Sequence, residues 1–374
     1  MGKIISGLRS LFGKAPSPPP RDVAPDPAAP GADGLLFNVY ATCGTLPPIA
    51  FPHVRHARRD LSDPELAGHL QGFLGYIQAQ AQGAPMTKAR YHLVRHVQRV
   101  QHHLSLTLDA SQLDAYAAWA AEANAIAFLR DGTVRDHQGR LLVAPGGGAI
   151  DDAAEVPWPR DAWERKAHTE SLLAQRGATV PGHLPPVLGA NELRPRAAGE
   201  IIGRAQALVV VSERAISLRD GDPLPIDLFK QRLPRAFEHL SPDERAFLAQ
   251  DTARPEQIAR FGWQCECTQV LAWALGLLET LPEPSAICNG GQITRVMLEN
   301  AQRDPATLRP RPAAELLDQL DLHFRLHWLT TEARLGRRAA VPDVDPGVVL
   351  ERHRALNWLV RLEDADWDDV DTPT

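Results

Sequence analysis

The chain has 374 residues, of which 44% are hydrophobic and 23% are charged. This composition is typical of a soluble globular protein, and the length is sufficient for two domains of ordinary size. Residues 1–150 carry 14 Lys and Arg against 11 Asp and Glu, whereas residues 151–374 carry 26 against 35. Opposite signs in the two parts argue against a chain that binds nucleic acid along its whole length.

The first 33 residues predict two segments outside the folded domains. Residues 1–14 place apolar side chains on one helical face beside Lys3, Arg9 and Lys14. This amphipathic segment predicts either a short helix that docks on a partner or a peripheral helix at the inner face of a membrane. It lacks the long apolar core and cleavage site of a secretory signal. Residues 15–33 are a Pro/Ala linker that we expect to be disordered.

Residues 35–145 predict a small α/β domain. Strands are expected at 35–42, 103–108, 125–129, 133–136 and 141–143, and helices at 62–80, 88–104 and 113–123, with Ser62 as a helix cap. A basic stripe of Lys88, His92, Arg95, Arg99 and His102 follows one helical face. No aromatic residues alternate with these charges for base stacking, so the stripe predicts a solvated or docked face, and nucleic acid is not an expected partner.

Residues 159–374 predict a larger, all-helical domain, which makes the fold class α+β. Helices are expected at about 159–175, 195–218, 226–240, 241–248, 255–281, 292–301, 312–335 and 345–361. The stretch Pro255–Leu281 contains a run that is apolar on every side, so it predicts a buried central helix. The acidic C-terminal segment contains Trp367, which suggests that this segment folds back onto the domain.

Three polar residues interrupt the apolar faces of these helices. Glu266 lies on the stripe of Trp263 and Val270, His327 follows Leu320 by seven residues, and His353 lies between Val349 and Leu356. If the helices pack together, these side chains could meet. The neighbouring residues extend the candidate network, whose full set is Trp263, Glu266, Arg325, His327, Glu332, His353 and Asn357.

This constellation has three interpretations. A hydrogen-bonded network that fixes helix register is the first. Glu266, His327 and His353 could instead bind a divalent metal, or a His–Glu pair could act as a general base. His323 and His327 are four residues apart, but Phe324 stands where an HExxH metal motif has Glu. The sequence also lacks a GxSxG elbow, a paired-carboxylate motif and a CxxC motif.

The four cysteines, Cys43, Cys265, Cys267 and Cys288, are few and irregularly spaced. Cys265 and Cys267 on one helix would point apart, because successive residues turn by about 100°. This is poor geometry for a disulfide or a shared metal. The cysteines therefore predict reduced core thiols in a cytoplasmic protein. The high content of Ala, Arg and Pro is compatible with a GC-rich bacterial genome.

An ordered set of motifs in residues 163–374 resembles the bacterial domain-of-unknown-function 4272 family. The motifs are GATVPGHLPPV, RAAGEIIGRAQALVVVSERA, LSPDERAFL, FGWQCECTQVLAWALGLLETLP, LDQLDLHFRLHWLTTEARL and ERHRALNWLVRLEDADWDDVDTPT. The resemblance implies no established activity, cofactor or catalytic residue. It leads us to expect an Arg–aromatic pair between Trp263 and Glu266, where this chain has Gln264 and Cys265. Another cation must then serve Glu266, with Arg325 and His327 as the candidates.

The sequence favours a non-catalytic binding or protein-interaction module over an enzyme. The expected partner is a protein, with peripheral membrane contact through residues 1–14 as a further possibility, and no cofactor is expected. The alternative is a hydrolase or metal-dependent enzyme that uses Glu266, His327 and His353, with a divalent metal as the cofactor.

Overall fold

A computed structural model describes residues 34–81, 83, 86–148 and 150–374. The predictions for residues 1–14 and 15–33 lie outside these described residues. The chain divides into two compact units between Trp163 and Glu164. An N-terminal unit with an antiparallel sheet is followed by a larger helical unit, so the α+β prediction is confirmed.

The N-terminal unit is built on one antiparallel sheet with the strand order β2-β3-β1-β4-β5-β6. Its strands are β1 (Leu35–Ala41), β2 (Val54–Asp60), β3 (His102–Leu108), β4 (Ala125–Leu129), β5 (Val134–Arg135) and β6 (Leu141–Val143). Its helices are α1 (Glu65–Ala79), α2 (Lys88–Arg99) and α3 (Leu113–Glu122). Because strand side chains alternate between faces, Val39 packs with Trp119 of α3, whereas Tyr40 packs with Phe73 of α1 and Val97 of α2. Helices therefore cover both faces of the sheet.

Three local predictions in this unit were wrong. The strand β2 was missed because its sequence, VRHARRD, has no alternating apolar residues. The hydroxyl of Ser62 does not cap α1 but donates to Asp60, at 2.6 Å, and the helix begins at Glu65. The helix α2 ends at Arg99 and does not continue to Leu104, because Leu104 is a core residue of β3.

The predicted basic stripe is not a single, uniformly solvated helical face, because His102 belongs to β3 and not to α2. His92 and His102 are buried. The guanidinium carbon of Arg99 lies 3.6 Å from the ring centroid of Trp158, a cation–π contact. These residues therefore support the packing of the N-terminal unit.

Every regular element of the helical unit is a helix, in agreement with the sequence. The helices are α4 (Arg160–Gln175), α5 (Ala198–Arg219), α6 (Ile226–Arg232), α7 (Pro242–Leu248), α8 (Pro255–Gly262), α9 (Gln264–Ala274), α10 (Gly290–Glu299), α11 (Ala313–Arg334) and α12 (Pro346–Leu359). Ser241 and Glu244 form a capping box at the start of α7. No helix in the described part of the chain is long and apolar enough to cross a membrane.

The central stretch consists of two helices, not the single helix that was predicted. The helix α8 ends at Gly262, and α9 begins at Gln264. Every residue of α9 is buried, and the helix packs against α5 and α12, so the prediction of a buried centre is confirmed. Beyond α9, Gly276 has a φ of +72°, and an added Cβ would lie 2.6 Å from the Arg309 carbonyl oxygen. This left-handed glycine ends the central helix well before Leu281.

The C-terminal segment folds back as its tryptophan suggested. Trp367 is 4% exposed, and its ring lies edge-on to Trp358 of α12 at a centroid distance of 5.5 Å. The guanidinium groups of Arg204 and Arg354 lie 5.1 and 4.9 Å from the Trp367 ring. These contacts make the segment part of the helical core.

Candidate functional site

Glu266 lies in the first turn of α9 and is completely buried. Its Oε2 accepts a hydrogen bond from Nε of Arg352 at 2.9 Å, and its Oε1 accepts one from the backbone N–H of Cys288 at 2.5 Å. Arg352 also donates to Oε1 of Gln269 at 2.8 Å and to the carbonyl oxygen of Pro282 at 2.5 Å. One arginine of α12 therefore links the central helix to the loop before α10.

The expected cations for Glu266 were the wrong ones. Arg325 forms a bidentate ion pair with Asp321, at 2.8 and 2.9 Å, and also donates to Glu170. The actual partner is Arg352, which is 1% exposed. Arg352 follows Val349 by three residues and precedes Leu356 by four, so it occupies the same helical face as these core residues. That spacing was a signal in the sequence that could have identified it.

His327 and His353 come together, as their positions suggested. Their Nδ1 atoms are 3.0 Å apart, and Nε2 of His353 lies 3.3 Å from the amide nitrogen of Asn357. The same Asn357 nitrogen donates to the carbonyl oxygen of Asp371 at 3.0 Å. Since an amide nitrogen only donates, Nε2 of His353 accepts, and we assign the proton of this ring to Nδ1, facing His327. This chain of hydrogen bonds ties α11, α12 and the C-terminal segment together.

The other two members of the predicted network have separate surroundings. Trp263 packs against the start of α12, where a Cβ added to Gly347 would lie 2.7 Å from its Cη2 atom. Glu332 lies near the end of α11 and accepts a hydrogen bond from Arg337 at 3.0 Å. The predicted set is therefore distributed over several local clusters.

The described residues place a different trio of potential metal ligands together. Cys265, Glu266 and Cys288 each offer one ligand atom, and these three atoms lie within 4.8 Å of one another. His327 and His353 are not part of this group. Cys267 instead donates to the backbone and carboxylate oxygens of Glu351, both at 3.3 Å, so Cys265 and Cys267 diverge as their helical spacing predicts. Sequence reasoning missed the pairing with Cys288, because a loop brings that residue back to α9.

His323 gives this unit a specific sensitivity to acid. The side chain is 1% exposed, and its Nδ1 lies 2.8 Å from the carbonyl oxygen of Gln319. Burial lowers the pKa of His323 from 6.5 to about 4. In the unfolded chain this histidine is protonated below about pH 6.5, whereas in the folded chain it stays neutral down to about pH 4. The free energy of unfolding therefore decreases as the pH falls from 6.5 to about 4.

We expect the substitution His323→Leu to reduce this acid sensitivity. At about pH 5, the wild-type protein should lose roughly 2 kcal/mol through this histidine relative to neutral pH. Urea unfolding at both pH values, monitored by hydrogen exchange of the α11 amides, measures the decrease in the free energy of unfolding for each protein. An equal loss in the wild type and the variant would assign the sensitivity to other groups.

Comparison with known proteins identifies a family over most of the helical unit. The family described as Domain of unknown function (DUF4272) matches residues 165–370, which is more than half of the chain and nearly all of the helical unit. No curated protein matches the chain. No solved structure matches it either. The chain belongs to the DUF4272 family.

Proposed function

We propose that this protein is a non-catalytic binding module that acts through contact with a protein partner. The observation that carries this proposal is the environment of Glu266. Both carboxylate oxygens accept hydrogen bonds, and the side chain has no exposed surface. A general base must lie within hydrogen-bond reach of a substrate proton, whereas this carboxylate is held inside the core.

The histidine pair supports the same proposal. The two rings are hydrogen-bonded to each other, and His353 is 2% exposed. The resulting chain through Asn357 ends on a backbone carbonyl oxygen of the C-terminal segment. Buried polar groups that satisfy one another in this way fix the register of helices. The network then holds the helical unit rigid while its outer surface binds.

The alternative is a hydrolase or metal-dependent enzyme that uses Glu266, His327 and His353. The ion pair between Glu266 and Arg352 disfavours a metal at this carboxylate, because it places a fixed positive charge 2.9 Å from one oxygen. The direct contact between the two histidine Nδ1 atoms, at 3.0 Å, also engages those atoms with each other. We propose a cytoplasmic location, in line with four free thiols among the described residues.

Retention of partners by site variants tests the binding proposal. The full-length protein, Glu266→Gln and His353→Gln would each be used to recover partners from cells of the source organism, after circular dichroism shows that each variant is folded. We expect the same partners in equal amounts, because the substituted groups face the core. Recovery of no partner by the folded wild-type protein would contradict the binding proposal, and loss of a partner with both folded variants would contradict a purely structural role for the network.

A further inference from the structure

Cys265 and Cys288 lie side by side although 22 residues separate them in the chain. Cys265 is in the first turn of α9 and is 9% exposed, whereas Cys288 is half-buried and precedes Asn289, the N-cap of α10. Their sulfur atoms and a carboxylate oxygen of Glu266 lie within 4.8 Å of one another. Both thiols are free.

Two contacts hold the pair in place. The backbone N–H of Cys288 donates to Oε1 of Glu266, which is itself fixed by Arg352. The start of α10 also lies close to α9, since a Cβ added to Gly290 would lie 4.0 Å from the Cβ of Cys265. The loop that carries Cys288 is therefore anchored beside Cys265.

The two thiols are chemically unequal. A hydrogen bond from the Cys288 thiol lowers the pKa of Cys265, although burial and the charge of Glu266 act in the opposite direction. The same hydrogen bond, together with burial, raises the pKa of Cys288. A thiolate is the reactive form of cysteine, so Cys265 is suited to attack an oxidant and Cys288 to remain a thiol until it is needed.

We propose that Cys265 and Cys288 are a reversible dithiol–disulfide pair that a small hydroperoxide oxidises. The Cys265 thiolate attacks the peroxide, forming a sulfur–oxygen bond as the oxygen–oxygen bond breaks, and the departing oxygen takes a proton. The Cys288 sulfur then attacks the sulfenic acid, loses its proton and releases water as the disulfide forms. The two thiols supply the two electrons that reduce the peroxide. The oxidant is small because Cys265 has little exposed surface.

The surroundings favour this chemistry over metal binding by the same three residues. Both oxygens of Glu266 already accept hydrogen bonds, one of them from the Arg352 guanidinium. That positive charge opposes the binding of a divalent cation at this carboxylate. Formation of the disulfide brings the two sulfur atoms, which lie within 4.8 Å of each other in the reduced protein, to about 2 Å.

Thiol counting on the full-length protein tests the proposal. The reduced protein would be treated with hydrogen peroxide, denatured, labelled with N-ethylmaleimide and weighed by mass spectrometry. We expect two of the four cysteines to escape labelling, a Cys265–Cys288 linked peptide after digestion, and recovery of all four labels after dithiothreitol. Absence of the linked peptide, or a link between other cysteines, would overturn the proposal.

The cysteine variants provide matched controls. Cys267→Ser should still form the disulfide, because Cys267 contacts Glu351 on another face of α9. Cys288→Ala should accumulate a sulfenic acid at Cys265, trapped by dimedone, and should react about tenfold more slowly once the activating hydrogen bond is lost. An equimolar metal retained by the reduced protein that blocks oxidation until it is chelated would establish a metal site instead.

Discussion

Replacing Arg352 by methionine should destabilise the helical unit by about 3–5 kcal/mol, because Glu266 would remain buried without its cation. The two side chains are 1% and 0% exposed, so water cannot take the place of the guanidinium. Arg352 also donates to Gln269 and to the carbonyl oxygen of Pro282, and these acceptors would lose their donor as well. Hydrogen exchange of α9 amides at increasing urea concentrations reports this change for the helical unit alone.

Arg361→Met is the matched control for this prediction. Arg361 pairs with Glu200, but the two side chains are 27% and 30% exposed. Such a pair contributes less than about 1 kcal/mol, since water and salt screen it. The double variant Glu266→Leu/Arg352→Met removes both charges and should be more stable than Arg352→Met alone. If Arg352→Met costs no more than Arg361→Met, the ion pair does not organise the core.

Removing the Trp367 side chain should cost the helical unit about 3–5 kcal/mol, the usual range for a buried tryptophan replaced by alanine. The ring is 4% exposed and packs against Trp358, with the guanidinium groups of Arg204 and Arg354 beside it. Trp367→Ala would leave a cavity at the point where the C-terminal segment meets α5 and α12. Urea unfolding monitored by hydrogen exchange of the α5 amides measures the decrease in the free energy of unfolding.

Trp328→Ala provides the comparison for Trp367→Ala. Trp328 is a half-buried residue of α11, with the Arg338 guanidinium 4.8 Å from its ring. Its removal should cost about 1 kcal/mol, because water already reaches part of the ring. Equal losses in the two variants would show that the C-terminal segment is not docked as firmly as the contacts of Trp367 indicate.

Apolar pattern was sufficient to predict the helical unit and its buried centre. The run from Val270 to Leu278 was expected to be buried on every side. Residues 270–275, within or just after α9, are buried, whereas Gly276 is exposed and Leu277 and Leu278 are half-buried. The break at Gly262 was not predicted, because a single glycine is tolerated inside many helices. The strand β2 was missed for a related reason, since an edge strand with few buried residues has no apolar alternation.

The site was predicted only in part, because apolar pattern identifies buried positions but not partners. The spacing of His327 and His353 correctly placed both on facing helices. The same spacing could have revealed Arg352, whereas Cys288 gave no such signal, since the path of the loop from Leu275 to Asn289 depends on the whole fold. A carboxylate at a buried position requires a cation but does not show which arginine supplies it.

Incubation of an extract of the source cells with the purified full-length protein tests most directly whether Glu266 has a structural role or takes part in a reaction. Wild-type protein and folded Glu266→Gln would be compared by untargeted mass spectrometry of the small molecules and peptides that remain. A structural carboxylate predicts the same composition in both samples at every time point. A compound consumed by the wild type and spared by Glu266→Gln would show that this residue takes part in a reaction, and would contradict the proposed binding function.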